Sequence, residues 1–159
     1  MKVMKYKTLF SEDKIPQLVR EGTYDSKDSV LNNPEKIVKM MRETFQIDRE
    51  TEEYVYEICL DSAHKPIAVF EISHGTVNAS MVSPREFYQK ALLVGAAGAV
   101  AVHNHPSGDC TPSREDDEVA LKLKETGHML GISLVDFIIV GDQFCSYAAE
   151  GWEKVKNGR

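Results

Sequence analysis

The 159 residues include no apolar run near the roughly 18 that a bilayer-spanning helix needs, so no such helix is expected. The opening segment Met1 to Tyr6 lacks the apolar stretch of a secretory signal, which makes a cytoplasmic protein the expectation. Cysteine is scarce as well. Cys59, Cys110 and Cys145 are odd in number and scattered, unlike the paired framework of a small secreted domain, and fit reduced thiols. Basic residues are short of the acids: 19 Lys and Arg face 25 Asp and Glu, for a formal net charge of −6. A surface that neutralises nucleic-acid phosphates needs clustered cations, so direct nucleic-acid binding is not expected. Lys36, Lys39 and Arg42 do recur on one prospective helix face, and read as a solvated face. Internal repeats and low-complexity stretches are also missing. What remains, 42% hydrophobic and 28% charged, has the balance of one soluble domain with a single core. Oligomeric state is not legible in it.

The patterning is that of alternating strands and helices. Residues 1–32 have loop-like composition with one possible edge strand, Ile15 to Arg20, because proline is tolerated at a sheet edge; Gly22 to Asn33 reads as a polar connection. Asn33 and Pro34 supply an N-cap and a first-turn proline, and Ile37, Met40, Met41 and Phe45 follow at helical spacing, predicting a helix over 34–45. From Glu53 to Leu60 the residues alternate as in a half-buried strand, and the turn at 61–66 predicts a hairpin with a second strand over 67–73. Ser83, Pro84 and Glu86 predict a capping box opening a helix that runs to about Val94. Gly98 to Val102 is small and apolar, as in a strand buried on both faces. A helix beginning near Pro112 or Ser113, a buried strand over 132–140 and a short strand from about 144 to 148 complete an α/β sandwich.

The buried strand leads into His103-Asn104-His105-Pro106. Two histidines at i and i+2 on a strand end project to one side of the sheet and can share a metal. After a loop shaped by Pro106, Gly108 and Pro112, Ser113 and Asp116 fall three residues apart at a helix start, which returns Asp116 toward the histidines. Two imidazoles and a carboxylate suit Zn²⁺ and leave one tetrahedral position open, the mark of a catalytic site. Taken singly, Asp116 and Ser113 are ordinary helix-start residues, and Ser113 can hold an N-cap and a catalytic role together. His64, His74 and His128 stand isolated and read as structural or surface residues.

His103-Asn104-His105-Pro106-Ser107-Gly108 followed by Ser113-Arg114-Glu115-Asp116 resembles the His-x-His-Pro and Ser-x-x-Asp motif of JAMM (JAB/MPN) metalloproteases, in its RadC-like form. Leu60-Asp61-Ser62, Gly75-Thr76, Ser83 to Glu86, Asp136 to Gly141, and Ser146 with Glu150-Gly151 resemble that family too, so the likeness covers about residues 33–153 and leaves 154–159 as a tail. It implies a JAB/MPN-type α-β-α sandwich around a mixed sheet, cytidine-deaminase-like in architecture. It also implies one zinc per chain on His103, His105 and Asp116, with Ser113 steadying the oxyanion and a separate glutamate as general base. Periodicity alone leaves Glu53, Glu57 and Glu71 equal for that last role; the resemblance favours Glu53, seven residues before Leu60. The implied activity is zinc-dependent hydrolysis of a peptide or isopeptide bond in a peptide, protein or ubiquitin-like substrate. Family members commonly carry His where this chain has Phe137, which predicts a packing change. The expectation from the resemblance is that the short N-terminal region replaces the helix-hairpin-helix segment of longer RadC proteins.

Two other zinc hydrolases fail on the motif. A nucleobase deaminase needs His-x-Glu and Pro-Cys-x-x-Cys, whereas Cys110 is followed by Thr111-Pro112-Ser113. A metallo-β-lactamase-like enzyme would continue His-x-His-x-Asp-His, where this chain has Ser107 and Gly108. The remaining rival is a zinc-stabilised, non-catalytic interaction module linked to DNA metabolism, after the DNA-repair label historically attached to RadC-like proteins.

Overall fold

The computed structural model describes residues 1–75 and 82–156. Thr76 of the Gly75-Thr76 match and residues 157–159 of the expected tail lie outside them. Seven strands form one mixed sheet: β1 (Lys2–Phe10), β2 (Pro16–Asp25), β3 (Tyr54–Leu60), β4 (Pro66–His74), β5 (Gly98–Asn104), β6 (Ser133–Val140) and β7 (Phe144–Ser146), in the spatial order β2-β1-β4-β3-β5-β6-β7. β1 with β4 and β5 with β6 are parallel, and the other neighbours antiparallel. Among the described residues the α-helices are α1 (Pro34–Phe45), α2 (Pro84–Leu93), α3 (Arg114–Leu130) and the short α4 (Tyr147–Glu150) and α5 (Glu153–Lys156), with a 3-10 turn at Ile47–Arg49. No described helix is long and apolar enough to cross a membrane.

Alternation along the strands sorts the core into two layers. Val100 and Val102 of β5 join Tyr56, Ile58 and Leu60 of β3 against Ile37, Met40 and Met41 of α1. Ala99 and Ala101 face the other way with Val55 and Cys59, against Phe87, Tyr88 and Ala91 of α2 and Val119, Ala120 and Leu123 of α3. Helices thus cover both faces, and the expected three-layer sandwich is what the chain forms.

Four expectations change in detail, the first being the last strand, expected to reach about 148, which stops at Ser146 where α4 begins. The N-terminal segment holds a hairpin rather than one strand: β1 was hidden from composition, and β2 runs on through Gly22 to Asp25, shortening the polar connection. β3 is buried on both faces, not half-buried, because β4 and β5 flank it and helices lie above and below. Ser83 caps α2 without a side-chain hydrogen bond, so no capping box forms there; the box forms instead at Ser113 and Asp116 on α3.

Candidate metal centre

β5 presents Ala99, Ala101 and His103 in turn on the side of α3, and the side chain of His105 follows at the same parity just beyond the strand. The amide of His105 donates to the Val140 carbonyl at 2.8 Å, so β6 carries the chain past the end of β3. His103 is buried and His105 half-buried, with side chains 2% and 14% exposed, and their rings meet edge to face at 4.8 Å. Each imidazole is anchored through Nδ1, to the Tyr54 carbonyl at 2.8 Å in His103 and to the Asp109 carbonyl at 2.7 Å in His105. A carbonyl only accepts, so both neutral rings carry their proton on Nδ1 and keep a lone pair on Nε2.

Both Nε2 atoms face carboxylates. The Asp116 oxygens lie 3.6 Å from His103 Nε2 and 3.4 Å from His105 Nε2. One oxygen of Glu53 and one nitrogen from each histidine fall within 4.8 Å of one another. Glu53, His103 and His105 are thus close enough to hold one ion, while the two imidazoles meet different oxygens of Asp116. Burial pushes His103 below its ordinary pKa and keeps it in the neutral form a ligand needs. The Asp116 carboxylate raises His105. Burial opposes charge on Asp116, but the His105 ring, which donates to it once protonated, and the Ser113 hydroxyl and amide prevail and hold its carboxyl below the usual range.

Asp116 is placed by the start of α3. Ser113 Oγ accepts from the Asp116 amide at 3.1 Å, while the Ser113 amide and hydroxyl each donate to Asp116 Oδ2 at 2.7 Å. The capping residue and the candidate ligand therefore orient one another, and both of the roles open to Ser113 in the sequence are compatible with its position. Of the three glutamates, only Glu53 joins the histidines. Glu57 is fully buried on the α2/α3 side with neither oxygen hydrogen-bonded. Glu71 pairs with Lys5 at 3.1 Å and lies 3.6 Å from His74. A polar cleft of about 490 Å³ opens beside Glu53, bounded by Thr51, Glu52, Gly75, Pro106 and Ser107. A groove of about 500 Å³ between α2 and α3 is mostly apolar and touches none of the metal-site residues.

Several contributors carried no sequence signal. The Tyr54 and Asp109 carbonyls act through the backbone, which residue type does not encode. Asn104 is buried between the histidines and grips the chain around Glu53; a polar residue at the end of a buried strand was the available clue. Arg42, expected in a solvated face, donates to the carbonyls of Gly141, Asp142 and Gln143 at 2.9, 3.1 and 3.4 Å and ties α1 to the β6–β7 turn. Phe137, the departure from the family's usual His, is buried and packs edge to face against Tyr147, ring centroids 5.1 Å apart.

The sequence pattern of the RadC-like JAB domain matches residues 31–152. A UPF0758 protein of Geotalea uraniireducens is 38% identical over 120 residues, 75% of this chain and 52% of that protein. Another, of Staphylococcus haemolyticus, is 41% identical over 108 residues, 67% of this chain and 47% of its own length. A third, of a Geobacillus strain, is 39% identical over 140 residues, 87% of this chain and 59% of the relative. The chain thus spans about half the length of the curated relatives it matches. With the match covering most of the chain and the motif histidines converging in space, this chain belongs to the RadC-like JAB domain family.

Proposed function

We propose that this domain is a zinc-dependent hydrolase of the JAMM type that cleaves a peptide or isopeptide bond. The observation that carries the reading is the pair of imidazoles, one buried and one half-buried, each with Nδ1 committed to a carbonyl and Nε2 turned toward a carboxylate. Zn²⁺ would be held by His103, His105 and Asp116 and would supply Lewis acidity, lowering the pKa of water from about 15.7 to ~7. Glu53, on the wall of the polar cleft and close to both histidines, is the group suited to take a proton from the attacking water and return it to the leaving amine. Asp116, locked by the capping box, stays anionic in a buried site. Ser113 has a hydroxyl proton, now shared with Asp116 Oδ2, that can serve the developing oxyanion. The open cleft would admit an extended peptide or an isopeptide-linked lysine.

Metal analysis and cleavage of a quenched-fluorescent peptide and isopeptide pool test this together. Wild type should hold one zinc and cleave; His103→Ala and Asp116→Asn should lose the zinc. Glu53→Gln should keep zinc and lose about 10²–10⁴-fold in kcat. Full zinc occupancy in both ligand variants would sink the metal assignment. Retention on DNA at moderate salt by a zinc-loaded, cleavage-inactive wild type would favour the non-catalytic module.

A further inference from the structure

We propose that Asn104, the residue between the two histidines, is a positioning residue that sets Glu53 against the metal site. The inference rests on the reading of Glu53 as the base. Glu53 lies just outside β3, which begins at Tyr54, and the β3–β5 ladder pairs no residue beyond Val55 with His103. The base therefore sits where that ladder has run out, on a segment whose neighbours Thr51 and Glu52 are exposed.

Side chains take over from the ladder. Asn104 Oδ1 accepts from the Tyr54 amide at 2.6 Å, and Asn104 Nδ2 donates to the Glu52 carbonyl at 3.0 Å. One carboxamide thus holds the peptide groups on both sides of Glu53, and its donor and acceptor fit in only one orientation. Two further bonds complete the grip: the Gly75 amide donates to the Glu53 carbonyl at 2.9 Å, and His103 Nδ1 donates to the Tyr54 carbonyl. Asn104 is itself 2% exposed and its strand is paired with β6 through Val140, so the clamp is mounted on the rigid centre of the sheet. The same three-residue stretch, His103 to His105, would hold both metal and base in register, and a displacement of about 1 Å between them is enough to cost about a hundredfold in rate.

The test uses Asn104→Ala, with Asn104→Gln as a milder variant that keeps both functional groups one methylene out of place. In the metal-free full chain, amide hydrogen exchange at Tyr54 and Gly75 should quicken about tenfold in Asn104→Ala. Zinc stoichiometry should stay at the wild-type value in both variants. On the quenched-fluorescent pool, kcat should fall about ten- to hundredfold with KM little changed. Asn104→Ala combined with Glu53→Gln should be no slower than Glu53→Gln alone, since a clamp that acts through the base has nothing left to position. Wild-type exchange at Tyr54 and Gly75 overturns the clamp. Additive losses in the double variant overturn its action through Glu53. Wild-type rates in Glu53→Gln would instead remove the base assignment, and with it the proposed mechanism, while the exchange measurement still decides whether Asn104 holds the segment.

Discussion

Replacing Gly141 by alanine should unseat the metal site without touching a candidate ligand. Gly141 follows β6 and faces the loop between His105 and Ser113; a Cβ there would lie 2.2 Å from the Gly108 carbonyl oxygen and 2.7 Å from its carbon, against ordinary contacts of 3.4–4 Å. Both obstacles are backbone, so the loop must retreat by roughly 1 Å. That retreat strains the bond from the Asp142 amide to the Gly108 carbonyl, now 2.8 Å, and the 2.7 Å contact from His105 Nδ1 to the Asp109 carbonyl. Overpacking with one or two weakened hydrogen bonds amounts to about 2–4 kcal/mol. In a domain of this size that is a fall in Tm of about 5–15 °C. Loss of the His105 anchor should weaken zinc binding by about 10–100-fold in a chelator competition. Gly127→Ala is the control: its Cβ collides equally hard, with Tyr88 Oη and the Ile132 carbonyl, but between α2 and the end of α3. It should lower Tm comparably and leave zinc affinity within about twofold, as expected for distant sites. Wild-type zinc affinity in Gly141→Ala would refute the claim that the β6–β7 turn braces the His105 loop.

Glu57→Leu should stabilise the protein at neutral pH. Burial, with neither carboxyl oxygen hydrogen-bonded, holds Glu57 well above its ordinary pKa. Above the unfolded pKa near 4.3 the unfolded chain has lost a proton that the native protein keeps, so wild type loses up to about 1.4 kcal/mol per pH unit relative to the variant until Glu57 ionises; denaturant unfolding at several pH values measures this, and parallel pH curves would refute it. Ser113→Ala should remove the α3 cap, about 0.5–2 kcal/mol by urea unfolding, and lower kcat about 10²–10³-fold if its hydroxyl serves the oxyanion. Adding zinc at a hundred times its Kd should stabilise the chelator-treated protein by about 2.7 kcal/mol in a thermal shift, and His103→Ala should abolish the response.

What was legible in the residues is what local periodicity encodes. α1 starts at Pro34 and ends at Phe45 as its cap and apolar spacing require, and the β3–β4 hairpin follows from alternation around a polar turn. That the two histidines and Asp116 come together was legible because a strand end and a helix start each fix the direction of their side chains over two or three residues. The features that escaped depend on pairing across the sheet. β1 binds β4 in parallel some 64 positions away, Lys5 beside Val69, and nothing local announces it. Glu53 could be separated from Glu57 by family likeness alone, since both sit at the same parity; only the end of the β3–β5 ladder leaves one beside the histidines and the other in the core. The capping box formed at the Ser-x-x-Asp of α3 and not at the Ser-x-x-Glu of α2, although both have the spacing.

The N-terminal hairpin has a meaning for self-association. β4 would otherwise present its outer edge to solvent, a row of unpaired amides and carbonyls next to Val69 and Phe70, two residues from the middle of the core. Such an edge is a template for strand addition by another chain. By lying along it, β1 moves the exposed edge out to β2, where Pro16 removes a donor, Arg20, Glu21 and Asp25 place charge, and the register shift between Lys5 and Tyr6 breaks the flatness of the ribbon. Without the hairpin, the β4 edge beside Val69 and Phe70 would be open to strand addition.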